Sequence, residues 1–307
     1  MTNEEPLYVV FSMDCLPAGG REEVHGPDRW DKGAGAPLAF AQALDQEGYR
    51  ATYFIAPEAA NRLKDVADEL ADADCELGVL CHPQLSGYQS YLGSYSYDRQ
   101  REIVSLARKV WTDELSRPAA AFRSGFFSAN DYTFHVLCME GFQQGSCSLP
   151  GRMDNDQCSM WFRSYPFPHH TDPLDRTSAG TMEYLEVPVT SDYEAAAYVS
   201  YETYTPPHLR IEEPDVHDYA RDLIEAQLDR MEEEDAEPRV IHFITSNVTE
   251  WTNTETPYLE RLHNLCSTLR EVADRREMKV RWTGLEALHR QMDQLLGVAR
   301  EEDLGAG

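Results

Sequence analysis

The sequence predicts an α/β fold, a barrel or a doubly wound sheet of about eight mainly parallel strands. Three observations carry this expectation. Strand-like and helix-like segments alternate almost to the end of the chain. Several strand-like runs are near-continuously apolar, as in a parallel sheet covered on both faces. Three of those runs end abruptly in ionisable groups, at Asp14-Cys15, Cys81-His82 and Arg123. In an α/β barrel the C-terminal ends of the strands line the reaction site, so these endings mark a candidate site.

The expected strands lie at 7–13, 51–56, 75–81, 119–123, 142–149, 184–190, 239–246 and 279–282. Amphipathic helices fit between them. In 57–72 the residues Leu63, Val66, Ala67 and Leu70 form one stripe, and in 98–115 Ile103, Leu106, Val110 and Trp111 do the same. Ser128-x-x-Asp131 and Thr283-x-x-Glu286 read as capping boxes, with Gly48 and Gly141 as C-terminal stops. Three long loops interrupt the rhythm, at 15–35, 82–97 (with Tyr88, Tyr91, Tyr95 and Tyr97) and 150–183, the last holding Pro-Phe-Pro-His169-His170. No low-complexity linker divides the chain, so one domain is expected over 1–307.

Composition narrows the function classes. The net charge is −27, with only four lysines (32, 64, 109 and 279). Such a surface repels nucleic acid and anionic lipid, so neither is an expected partner. Two readings of the acidity stand: adaptation to high salt, where screening relieves self-repulsion, or an acidic cytosolic protein with GC-rich codon use. No stretch approaches the length of an apolar membrane span, and the first residues lack a basic and an apolar signal region, so a cytoplasmic location is expected. Seven cysteines, an odd number without a Cys-x-x-Cys pair, argue against a disulfide framework. Cys138 and Cys266 fall on apolar helix faces as small core residues. The sequence sets no oligomeric state.

The strand-end motifs resemble those of the NodB-type polysaccharide deacetylases (carbohydrate esterase family 4). Phe11-Ser-Met-Asp14-Cys15 resembles the family's first motif, and Glu76-Leu-Gly-Val-Leu-Cys-His82-Pro83 its second. Phe122-Arg123-Ser-Gly-Phe-Phe-Ser-Ala-Asn130 resembles the Arg-containing third. Gly141-Phe-Gln-Gln-Gly-Ser-Cys-Ser-Leu-Pro-Gly151, Leu185-Glu-Val-Pro-Val-Thr190 and Ile241-His-Phe-Ile-Thr-Ser-Asn247 extend the likeness, which spans residues 7–290. It implies a distorted (β/α)7-8 barrel. It also implies a hydrolase in which a divalent metal, held by one Asp and two His, activates water against an acetamide carbonyl. A separate Asp serves as base and a final His protonates the amine. By this resemblance Asp14 is the base and Arg123 its orienter.

The sequence departs from that pattern where the chemistry lies. The metal Asp falls on Cys15 or Leu16, the two metal His on Leu80 and Gln84, and the final His near Thr245 or Ser246. His82 remains, two residues beyond Leu80 and on the same strand face. Three readings follow. Asp14, Cys15, Cys81 and His82 form a thiolate-containing zinc site, with Cys15 and His82 as the leading ligands. Alternatively, Asp14 and His82 act as base and acid without metal on an amide or cyclic amide, as the metal-independent allantoinases of the superfamily do. In the third reading catalysis is lost and the barrel only binds a carbohydrate or a protein, or the site uses an unrecognised ligand set. The expected substrate is a sugar or small metabolite carrying an acylated amine. Asn130, His169, His170, Asn247 and Trp251 are the candidate substrate-binding residues. Cys15 and Cys81 also read as buried small hydrophobes, and the tyrosines as packing on their own barrel.

Overall fold

The computed structural model describes residues 5–21, 23–198 and 203–297. The parallel strands are β1 (Glu5–Cys15), β2 (Thr52–Ile55), β3 (Glu76–Cys81), β4 (Ala121–Ser124) and β5 (Gln144–Gly145). Two residue pairs from the long 150–183 segment, β6 (Met153–Asp154) and β7 (Ser159–Met160), pair with each other, and β8 (His169–His170) follows them. The chain continues through β9 (Leu185–Glu186), β10 (Thr203–Tyr204), β11 (Val240–Ser246) and β12 (Met278–Trp282). The main sheet is nine-stranded, in the order β11-β1-β2-β3-β4-β5-β9-β8, with β12 also on β1. Every pairing in it is parallel except β8 with β9. Strand β10 joins β6 and β7 in a small separate sheet.

β1 is long enough to serve three neighbours. It pairs with β11 over Tyr8–Asp14 on one edge. On the other edge β12 takes Glu5–Val9 and β2 takes Ser12–Cys15. The sheet curls back on itself past β9. Thr190 N donates to His242 O (3.4 Å), Leu209 N to Thr190 O (3.0 Å) and Ile211 N to Ile244 O (3.0 Å), so residues 187–190 and 208–211 stitch the far edge to β11. β5 and β9 keep two residues each of the expected runs 142–149 and 184–190, and Val187 N to Gly145 O (2.9 Å) and Val189 N to Ser148 O (3.1 Å) continue the contact between those runs.

The helices are α1 (Trp30–Gln46), α2 (Pro57–Ala60), α3 (Lys64–Asp72), α4 (Tyr97–Leu115), α5 (Thr133–Met139), α6 (Val216–Glu233), α7 (Tyr258–Arg275) and α8 (Leu285–Leu296). The expected helix 57–72 is divided into α2 and α3, with Leu63 fully buried at the junction. Gly48 and Gly141, at φ 82° in both cases, end α1 and α5 in the left-handed conformation that glycine tolerates. Neither expected capping box forms. Ser128 instead accepts from Gly93 N (3.0 Å), and the start of α8 is capped from outside the helix. Glu76, the first residue of β3, accepts from Leu285 N (2.5 Å) and Glu286 N (3.0 Å) and from Thr52 Oγ1 (2.9 Å). A carboxylate at a helix N-terminus satisfies orphan amides and opposes the positive end of the helix dipole. Glu76→Ala is expected to cost about 1–2 kcal/mol, read as a melting temperature lower by several degrees in a thermal scan. An unchanged transition would show that α8 does not depend on this cap.

α8 lies under the N-terminal ends of the strands: Glu76 holds its start, and His289 reaches Gln144, the first residue of β5 (3.1 Å). The C-terminal ends, where Asp14, Cys81 and Ser124 lie, are at the opposite mouth. Among the described residues no helix is long and apolar enough to cross a membrane.

Candidate active site

Alternation along β1 sends Ser12 and Asp14 to one face and Met13 and Cys15 to the other. The first pair meets Arg123 from β4. Its Nη1 donates to Asp14 Oδ1 (2.9 Å), Nη2 to Ser12 Oγ and Ser146 Oγ (2.9 Å each), and Nε to Ser146 O (3.0 Å). Arg123 is 1% exposed, and its guanidinium lies 4.3 Å from the centre of the Phe54 ring. A buried cation this fully bonded is a fixed frame. Asp14 sits at the rim of that frame, its side chain 19% exposed, so it is both anchored and reachable.

His82 follows β3. Its ring lies against Gly125, where an added Cβ would come within 2.2 Å of His82 Nδ1, so only glycine fits beneath it. Phe126 meets the ring edge-on at 4.9 Å, and Tyr91 packs on Phe126 at 5.5 Å. Phe126 and Phe127 both hold left-handed backbone, at φ 57° and 55°. Two consecutive non-glycine residues in that region cost of order 1–3 kcal/mol each, a strain that surrounding structure keeps where a site needs it. Burial pushes the His82 imidazole down to about 4, and Asp14 pulls it the other way, which puts the two groups within electrostatic reach. His82 is therefore neutral at pH 7. Its Nδ1 is buried without a hydrogen-bond partner among the described residues.

Beneath this pair lies a second polar layer. His242 Nε2 is 2.8 Å from Ser12 Oγ, and its Nδ1 is 3.2 Å from Pro188 O. Burial, then the Arg123 charge, pushes His242 down to about 3. Glu186 accepts from Cys147 N, Ser148 N (2.8 Å each) and Ser148 Oγ (2.7 Å), while burial raises its carboxyl to about 7. On the stitching segment, Arg210 pairs with Glu212 (2.8 Å) and shares a field with Asp14 and Arg152. Sequence reasoning missed Arg210, His242 and Glu186. Arg210 follows Pro206-Pro207-His208-Leu209, a stretch with no strand periodicity. A lone Arg held in a proline-bounded segment of an acidic chain is the signal available for it.

Asp14 and Arg123 are thus in contact, with His82 within electrostatic reach of Asp14, and the other candidates do not join them. Cys15 faces away from Asp14's pocket and is 1% exposed, and burial with the adjacent Asp14 charge holds its thiol well above the usual range. Cys81 is likewise buried and its thiol raised, burial first and the Glu58 charge second. Asn130 is spent on structure: it accepts from Gln100 Nε2 (2.8 Å) and donates to Gly93 O (2.9 Å) and Tyr95 O (3.0 Å). Asn247 binds both backbone groups of Leu16 (2.9 and 3.0 Å) and is 1% exposed. Trp251 is buried against Phe40 (4.7 Å) and Tyr258 (6.1 Å) rather than walling the pocket. His169 and His170 belong to β8, whose partner residues Glu186 and Leu185 make up β9, with His170 paired to its first residue. His170 reaches α8 beneath the sheet, where its Nε2 is 3.2 Å from Asp293 Oδ1. Of the tyrosines of 82–97, Tyr88, Tyr95 and Tyr97 pack against the core, with Tyr88 meeting Tyr95 at 6.0 Å and Tyr97 meeting Tyr132 at 6.1 Å.

The positions at which the resemblance puts a metal triad do not fit a divalent ion. Leu80 is fully buried and apolar, Gln84 is a buried neutral amide, and Cys15 is a desolvated thiol turned away. The zinc reading fails on geometry as well: among the described residues Asp14, Cys15, Cys81 and His82 do not bring three ligand atoms within 4.8 Å of one another.

No protein-family model matches the sequence, and no curated protein does. Solved structures do match the fold. The Puue allantoinase superposes with a TM-score of 0.58 at 15% identity, over 96% of this chain and 92% of that one. A Pseudomonas aeruginosa protein described as a probable polysaccharide deacetylase gives 0.57 at 13% identity, over 94% and 91%. The chain has the α/β barrel fold of the NodB-type polysaccharide deacetylases.

Proposed function

We propose that this deacetylase-type barrel hydrolyses a C–N bond of a small amide, either an acylated amine or a cyclic amide, without a metal at the Asp14 pocket. The observation that carries the reading is the Asp14 carboxylate, fixed by a buried Arg123 fork yet open to solvent, beside a neutral His82. In this reading Asp14 takes a proton from water as the water oxygen attacks the carbonyl carbon. The C–N bond then breaks, and the proton passes from Asp14 to the leaving nitrogen. Imidazole held neutral donates a hydrogen bond to the carbonyl oxygen without competing for the proton. Arg210, near Asp14 in a chain of net charge −27, favours a substrate carrying an anionic group.

The test is a hydrolysis assay on acetylated amino sugars and on cyclic amides bearing a carboxylate, run well below the melting transition. Chelator is expected to leave the rate unchanged. Asp14→Asn is expected to lower kcat/KM by about 10²–10⁴ with little change in KM. Loss of activity on chelation with recovery on added metal would overturn the metal-free mechanism. Substrate binding without turnover, unaffected by Asp14→Asn, would establish a binding barrel instead.

A further inference from the structure

We infer that His170, His289 and Asp293 form a divalent transition-metal site that ties α8 to β8 at the mouth opposite the Asp14 pocket. One ligand atom from each lies within 4.8 Å of the other two. His170 Nε2 is 3.2 Å and His289 Nε2 3.7 Å from Asp293 Oδ1. A tetrahedral ion with bonds of ~2.0 Å sets its ligand atoms roughly 3.3 Å apart, so the cluster is nearly drawn in already. His289 and Asp293 are one turn apart on α8, which puts them on one face, and His170 is delivered by β8 at the sheet edge.

The outer hydrogen bonds orient the rings. His170 Nδ1 lies 2.7 Å from Met182 O, and His289 Nδ1 lies 3.1 Å from Gln144 Oε1. Met182 O can only accept, so His170 carries a proton on Nδ1. The Nε2 atoms of His170 and His289 both face the Asp293 carboxylate. Metal-bound histidines are commonly oriented by an acceptor on the other ring nitrogen, as Met182 O orients His170. The His170 side chain is 10% exposed, and its Nε2, 3.2 Å from Asp293 Oδ1, has no hydrogen-bond partner among the described residues. Two imidazoles with one carboxylate suit zinc, cobalt or nickel rather than calcium or magnesium, which take all-oxygen shells.

The site is independent of the proposed hydrolysis, and its test does not use activity. Full-length protein stripped with chelator is titrated with Zn²⁺ and Co²⁺, following heat, metal content and the visible cobalt bands. One equivalent per chain is expected, with tetrahedral cobalt absorption and a higher melting temperature. His170→Gln and Asp293→Asn, close in shape to the originals, should each weaken binding by more than the roughly 10–100-fold that losing a supporting neighbour costs. Asp14→Asn should leave the stoichiometry untouched, which separates this site from the catalytic pocket. No binding by the parent chain would overturn the inference. Unchanged binding in both variants would overturn it equally.

Discussion

Arg123→Ala is expected to destabilise the protein by about 3–5 kcal/mol and to remove whatever turnover the Asp14 pocket supports. The size follows from what the side chain leaves behind. Ser12 Oγ, Ser146 O and Oγ, and Asp14 Oδ1 all lose a donor in a place where Arg123 is only 1% exposed. Buried acceptors stripped of a partner carry the desolvation cost without the bond. The guanidinium also fills the space beside Phe54 (4.3 Å) and Phe127 (5.7 Å), so a cavity adds to the loss. Arg123→Lys keeps the charge but cannot span Ser12, Asp14 and Ser146 at once, so it should recover part of the stability and little of the activity. Urea unfolding of the two variants with kinetics on the same preparations checks this. An alanine variant within 1 kcal/mol of the parent would mean that the frame around Asp14 relaxes and does not orient it.

Much of that frame was legible in the sequence. Buried parallel strands are written as apolar runs, so β1, β3, β4 and β11 could be read, and the ionisable residues at three of their ends pointed to one mouth. What hid was anything decided by contacts distant in sequence. The cap of α8 comes from Glu76, 209 residues before Leu285, while the nearby Thr283 and Glu286 only imitate a capping box. Asn130 and Asn247 read as ligands because of their place after the motifs. Asn side chains, however, bond readily to backbone, and both are spent there. His169-His170 could be seen as chemistry but not placed, since which mouth a loop serves depends on the direction of β8. Arg210 was invisible for a related reason: its strand is a single bridge to Ile244, too short to leave a period.

Acidification is expected to unfold the chain at a pH well above that at which surface carboxylates are fully protonated. Four histidines are held neutral by burial: His82 and His169 are pushed down from 6.5 to about 4, and His208 and His242 to about 3. A base whose folded value is depressed contributes stability that is complete above its unfolded value and is lost as pH falls toward the folded one. The window therefore opens at about 6.5 and runs down to about 3. Shifts of this size are worth on the order of 3–5 kcal/mol apiece, against a total stability of roughly 5–15 kcal/mol for a domain. The native state should thus fail before the four sites finish titrating, with a midpoint near pH ~4–5. Glu186 works against them. Its carboxyl is raised from 4.5 to about 7, so it contributes least above 7 and regains stability as pH falls toward 4.5. One such group offsets about one histidine, and four outweigh it. Circular dichroism against pH gives the midpoint. His242→Asn should shift it downward, although the parent contact to Ser12 is lost. Glu186→Gln should raise stability at pH 8 and leave it unchanged at pH 4, where the carboxyl is protonated in both states. A parent midpoint below pH ~3 would show that these imidazoles are solvated in the folded protein and that the polar layer beneath Asp14 is wet.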